Sequence, residues 1–112
     1  MTRYVVKQFN YTDVADQKSF EISRANPERC YRSLGHGDYR TSAFIEADNL
    51  NEVFRIGNTE TDLVEKVDNF YSVSCGDIIV DTETQIAWLV SPMGFTRLGY
   101  DMHFKFEYKK GA

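Results

Sequence analysis

Two closely spaced turn signals late in the chain constrain its fold more than any other feature. The apolar runs DIIV (Asp77 to Val80) and QIAWLV (Gln85 to Val90) flank the polar stretch DTETQ and read as a hairpin. SPMG follows, with Pro92 at the second and Gly94 at the last position of a type I turn. Connections this short join antiparallel neighbours, because a parallel pair needs a crossover of about a dozen residues or more. MHFKFEY then alternates Met102, Phe104, Phe106 and Tyr108 with His103, Lys105 and Glu107, the clearest period of two in the chain.

Upstream, RYVVKQF (Arg3 to Phe9) is rich in β-branched and aromatic residues and reads as an opening strand. KSFEIS (Lys18 to Ser23) reads as a second. From Arg24 to Ser42 the pattern is lost, and Pro27, Gly35 and Gly37 predict a long ordered loop. AFIEA (Ala43 to Ala47) resumes a strand. DNLNEVFRIGN carries the strongest helix signal: Asp48 as the cap, Glu52 toward the positive end of the dipole, Leu50, Val53 and Phe54 on one face, and Gly57 as the stop. TDLVEKVDN predicts a further helical turn, with Leu63, Val64 and Val67 packed inward. The sum is an α+β fold, a small, curved, mostly antiparallel, barrel-like sheet against one main helix, with Phe54, Ile78, Trp88, Leu89 and Phe104 in its core.

A chain of 112 residues has room for one domain, and 42% hydrophobic content suffices for one core. No apolar run approaches the ~18 residues of a membrane span, and MTRYVVKQFN lacks the apolar stretch of a secretory signal, so the expectation is cytoplasmic. Cys30 and Cys75 fit two reduced core thiols. Charge is uneven: Phe44 to Glu83 holds ten acidic residues against two basic ones, whereas Lys18 to Arg40 is net positive. That distribution does not support a uniformly basic nucleic-acid surface and leaves an acidic face open to a basic partner.

LNEVFRIGN, then YSVSCGDIIV, then AWLVSPMGFTRL together resemble the small YodL-like domain of phage, plasmid and mobile-element accessory proteins. The matching features are Phe54 and Asn58, then Ser72, Val73, Ser74, Gly76, Asp77 and Ile78, then Gly94 and Phe95, over roughly the last two-thirds of the chain, with the motif-bearing part at about 43–108. Similar proteins usually carry valine where this chain has Cys75, which implies a small buried hydrophobe there. The resemblance implies a fold and a setting, and no mechanism.

Each chemical constellation has a plainer alternative. Cys75 as a nucleophile needs a base, and only His36 and His103 exist; the alternative is a corner in which Gly76 takes a conformation closed to other residues and Asp77 accepts backbone hydrogen bonds. GHGDY sets His36 between Gly35 and Gly37 with Asp38 next, a binding loop or a surface turn; with no His-x-x-His or Cys-x-x-Cys, no metal or cofactor is expected. Arg24, Arg29, Arg32 and Arg40, interleaved with Tyr31 and Tyr39, can contact phosphates and stack on bases, or form a protein-facing rim. The acidic series Glu46, Asp48, Glu52, Glu60, Asp62, Glu65 and Asp68 is either a solvated face or a surface that occupies a basic groove on another protein. Phe95, Tyr100, Phe104, Phe106 and Tyr108 supply core, with a remainder that suits a homodimer.

The functional expectation is a non-enzymatic accessory protein that binds a host protein, such as a CRISPR or restriction nuclease component, through the acidic face. The alternative is a nucleic-acid- or nucleotide-binding barrel that uses Arg29, Tyr31, Arg32, His36, Tyr39 and Arg40.

Overall fold

A computed structural model describes residues 1–10 and 25–101. Strand β1 (Thr2–Phe9) leads to helix α1 (Pro27–Gly35), strand β2 (Tyr39–Ala47), helix α2 (Leu50–Thr59), a 3-10 turn (Thr61–Leu63), and strands β3 (Glu65–Lys66), β4 (Ile78–Asp81), β5 (Ile86–Ser91) and β6 (Gly94–Tyr100). The strands form one six-stranded antiparallel sheet in the order β3-β2-β1-β4-β5-β6. β1 is central, pairing Tyr4 with Ile45 on one side and with Asp81 on the other.

Alternation along the central strands sends side chains into two separate cores. Val5, Phe9, Ile78, Val80, Ala87 and Leu89 pack on one face with Cys30 and Leu34 of α1. Tyr4, Val6, Ile45, Ile79 and Val90 pack on the other with Val53 and Ile56 of α2. A helix therefore covers part of each face, and strands sandwiched between two apolar layers become continuous apolar runs, as IIV does. The imperfect alternation of Arg3 to Phe9 has the same origin, for β1 is buried from Tyr4 to Phe9.

The α+β class and the antiparallel hairpins are as the sequence predicts, but the sheet does not close into a barrel, and among the described residues β3 and β6 are its edges. Among the described residues there are two helices rather than one. The segment read as a loop from Arg24 to Ser42 contains α1 and the first half of β2. Pro27 starts that helix instead of breaking it: Asn26 accepts the Arg29 N–H at 3.1 Å, and proline fits the first turn, where its missing donor is not needed.

In α2 the cap is Asn49, whose Oδ1 accepts the Glu52 N–H at 2.9 Å, and not Asp48. Gly57 lies inside the helix, which continues to Thr59. An added Cβ at Gly57 would meet Val73 Cγ2 at 2.5 Å, so this glycine lets the 69–76 connection press against the helix. Helix periodicity turns Phe54 outward, leaving it 41% exposed, while Val53 and Ile56 face the sheet. Trp88 is half-buried, whereas Ile78 and Leu89 are core residues as expected. The further turn exists as the 3-10 turn over Thr61–Leu63, after which the chain extends into β3; of the three residues expected to pack inward, Val64 is buried, and Leu63 and Val67 are exposed. The strands read at Lys18 to Ser23 and at Met102 to Tyr108, with Arg24, His103, Phe104, Phe106 and Tyr108, lie outside the described residues. No described helix is long and apolar enough to cross a membrane.

Candidate functional site: an interaction surface

The corner at Ser72 to Asp77 is built as architecture. Gly76 has φ +94°, a conformation costly to any residue with a Cβ. Asp77 Oδ2 accepts the Ser74 N–H at 2.9 Å and the Gln8 side-chain amide at 3.1 Å. Gln8, fully buried on β1, also accepts the Tyr71 N–H at 3.2 Å and donates to the Tyr71 carbonyl at 2.8 Å, so its amide pairs with the connection as a strand would. Burial pushes the Asp77 carboxyl up to about 7, against the opposing hydrogen bonds from Ser74, Gln8 and Tyr71 and the more distant Arg40 charge. With 3% of its surface exposed, Asp77 is positioned to hold the turn and is closed to a substrate.

Cys75 overturns its sequence reading. It is exposed on this turn, whereas Cys30 is buried beside Tyr39, and burial raises the Cys30 thiol. The physical reason is local: Val73 points into the α2 core at 2% exposure, and Cys75, two positions along, stands outside the turn that Gly76 reverses. Among the described residues no hydrogen bond joins Cys75 to His36, and no three His, Cys, Asp or Glu side chains gather as a metal site.

The arginine and tyrosine set divides. The Tyr39 hydroxyl is buried and donates to the Gly76 carbonyl at 2.6 Å, and its ring packs edge-on against Phe9. Arg40 donates to the carbonyls of Asn69 at 2.6 Å, Phe9 at 2.9 Å and Asp68 at 3.1 Å, tying the end of β1 to the connection after β3. Both are corrections to the ligand-binding loop: a guanidinium surrounded by backbone carbonyls, and a phenol buried in the core, are not offered to phosphates or bases. Arg29, Tyr31 and Arg32 lie on exposed positions of α1, and exposed His36 caps its C-terminus. Tyr31 is committed to the fold in part, donating to the Tyr100 carbonyl at 2.9 Å across Gly99.

The acidic series is carried by β2, α2 and β3, which are consecutive in the chain and packed against one another. Glu60 and Asp62 flank the start of the 3-10 turn, Glu65 lies on the β3 edge and Asp68 just beyond it, with Glu46 and Asp48 at the end of β2. Several are matched by arginine. Arg55 bridges Glu52 at 2.7 Å and Glu60 at 3.0 Å, and its hydrogen bond holds the Glu52 carboxyl below its usual range. Arg3, lying 4.3 Å over the Phe44 ring, reaches Glu65 at 2.7 Å, and Arg40 approaches Asp68 at 3.9 Å. Glu46, Asp48 and Asp62 are exposed and have no ion-pair partner among the described residues. The sequence did not join Asp81 and Glu83 to Asp48, yet all three raise the Tyr4 phenol, after burial, from different elements.

The feature that sequence reasoning missed is an apolar shelf. Register places Trp88, Val90, Phe95 and Arg97 on the α2 face of the sheet, beyond the strand that α2 covers. Phe54, Asn51, Val90, Pro92 and Phe95 line a groove of about 190 Å³ between α2 and the β5–β6 turn, where Met93 is 98% exposed. The available signal was Phe54 itself, an aromatic residue beside Val53 on a helix whose buried face runs through Val53, Ile56 and Gly57.

No family model matches the chain, and neither a curated protein nor a solved structure matches it. The motif residues behind the YodL-like resemblance nonetheless have structural roles. The Asn58 amide donates to the Phe54 carbonyl at 2.8 Å, which fixes the four-residue spacing. Val73 packs against Gly57, Asp77 holds Ser74, and Gly94 turns the chain with φ +135°.

Proposed function

We propose that this chain is a non-enzymatic accessory protein that acts by binding another protein, in the phage or mobile-element setting that its YodL-like motifs suggest. The partner presents basic residues to the acidic edge formed by β2, α2 and β3, and a CRISPR or restriction nuclease component of the host has that chemistry. The observation that carries this reading is that Glu46, Asp48 and Asp62, on elements that are consecutive in the chain, are exposed and hold no ion pair among the described residues. Exposed charges of this kind steer association and contribute little to folding.

The test is cleavage of target DNA by purified Cas nuclease–guide complexes and by restriction endonucleases, titrated with this protein at low and high salt. Inhibition should weaken at high salt, as the Debye length falls from ~10 Å at 0.1 M to ~3 Å at 1 M. It should also weaken in the triple variant Glu46→Lys, Asp48→Lys, Asp62→Lys. A panel of these nucleases that shows neither inhibition nor binding would sink the counter-defence reading. Binding of an oligonucleotide that is lost in Arg29→Glu, Arg32→Glu would move the nucleic-acid alternative to the front.

A further inference from the structure

The two edges of the sheet are finished differently. β3 is two residues long, carries Glu65 and Lys66, and has its end held by the Arg3–Glu65 ion pair. An edge so short and charged offers no template for another strand. β6 is seven residues long, Gly94–Tyr100, with no proline and a single charge, Arg97. Among the described residues no strand pairs with its outer side. Its apolar neighbours continue the exposure: Tyr100 is 57% exposed, and Trp88 and Phe95 are half-buried on the α2 face.

We propose that β6 is a homodimer edge, at which a second copy of this chain adds antiparallel to make a continuous twelve-stranded sheet. Charge selects this surface for self-association. Each copy is net −4, so two copies repel wherever acidic groups meet. β6 holds no acidic residue, and five strand spacings of ~4.8 Å place it on the order of 24 Å from the acidic β3 edge, several Debye lengths away at physiological salt. Pairing through β6 sends the two acidic edges to opposite ends of the assembly.

The residues also select a register. A two-fold axis perpendicular to the sheet preserves which face each side chain points to, so residues must pair so that the same face meets the same face. Centring on Arg97 would set like charges directly opposite, which is unfavourable. Centring on Leu98 would run through the bulge between Arg97 and Gly99, where the β5–β6 register shifts. Centring on Thr96 keeps to the regular part of the strand. It sets Thr96 against Thr96 of the second copy and Arg97 over Phe95 of the second copy, a cation-to-ring contact, and joins the two apolar shelves on the α2 face.

Sedimentation velocity over a concentration series tests this directly. The chain of 13.0 kDa should convert to a species of twice that mass as concentration rises. Thr96→Lys, which puts two ammonium groups together at the axis, should keep the far-ultraviolet spectrum and remain monomeric across the same series. In a Cys75→Ser background, Thr96→Cys should form a covalent dimer under mild oxidation, while Lys66→Cys on the opposite edge should not. If Thr96→Lys fails to fold, this cross-linking pair decides alone. A monomer at every concentration, or cross-linking at position 66 and not at 96, overturns the proposal and leaves β6 to a strand of another protein.

Discussion

Asp77 shows how a residue that looks chemical becomes structural, and its titration makes that role measurable. Its folded value of about 7 lies above the ordinary 3.8 because burial penalises the charge more than its hydrogen bonds reward it. A carboxyl raised in this direction contributes stability that is complete below pH 4 and is lost as pH rises toward 7, since only the unfolded chain has released the proton in that window. Asp77→Asn keeps an oxygen that can accept from Ser74 and Gln8 and carries no charge. Its thermal midpoint should therefore equal or exceed the wild type at pH 8, and the gap should close or reverse by pH 4.5. Asp77→Ala, which orphans both donors, should cost about 1–3 kcal/mol at either pH. A midpoint difference between Asp77→Asn and wild type that does not vary with pH would disprove the buried ionisation. The turn itself was legible, because Gly-Asp before an apolar run has a local cause. The partner Gln8 was not, since nothing in a lone glutamine on a strand announces that it will pair with a segment sixty residues away. Arg40 misled for the same reason: its carbonyl partners come from two distant segments, and sequence shows only a positive charge.

At the scale of elements, hairpins were readable and helix boundaries were not. Turn chemistry in DTETQ acts over a few residues, so β4 and β5 followed from it, whereas the strand expected after SPMG was Met102 to Tyr108 and β6, at Gly94–Tyr100, was not foreseen. The start of α1 was also written locally, as Asn26-Pro27-Glu28, but the same proline read as a breaker hides a helix of nine residues. α2 depends on a tertiary contact that no local rule contains. Gly57 costs about 1 kcal/mol of helix propensity relative to alanine, so an isolated helix would gain from Gly57→Ala. In the fold the added methyl meets Val73, a short, buried, branched side chain that is stiff at χ1. Gly57→Ala should therefore destabilise by ~1–3 kcal/mol, as overpacked cores do. Val73→Ala alone leaves a void and should also destabilise. The double variant should be less damaged than the two losses added together, because the second change makes room for the first. Denaturant titration of the four proteins gives that coupling. Strict additivity would mean that the 69–76 connection does not bear on the helix.

For the whole molecule, the decisive fact is that the first strand is the middle of the sheet. β1 joins the unit made by β2, α2 and β3 to the hairpins of β4, β5 and β6, and these two halves share no strand pairing without it. No sequence signal marks this, because a pairing between Tyr4 and Asp81 is fixed by global packing and not by any turn. The residues that carry the YodL-like resemblance begin after β1 and α1 and so hold no sign of this placement. Without β1, Val5, Val6 and Phe9 leave both cores, and the facing edges of β2 and β4 keep unpaired backbone groups next to apolar surface. A fragment comprising residues 43–112 should accordingly show no cooperative thermal transition, whereas the full chain unfolds in one. Adding a synthetic peptide of residues 1–10 should not restore the fold unless α1, which closes the Phe9 side with Cys30 and Leu34, is supplied too. Calorimetry of the fragment, alone and with peptides of residues 1–10 and 1–42, separates these cases. A cooperative transition in residues 43–112 alone would show that the motif-bearing part carries its own core, and that the central placement of β1 is dispensable to it.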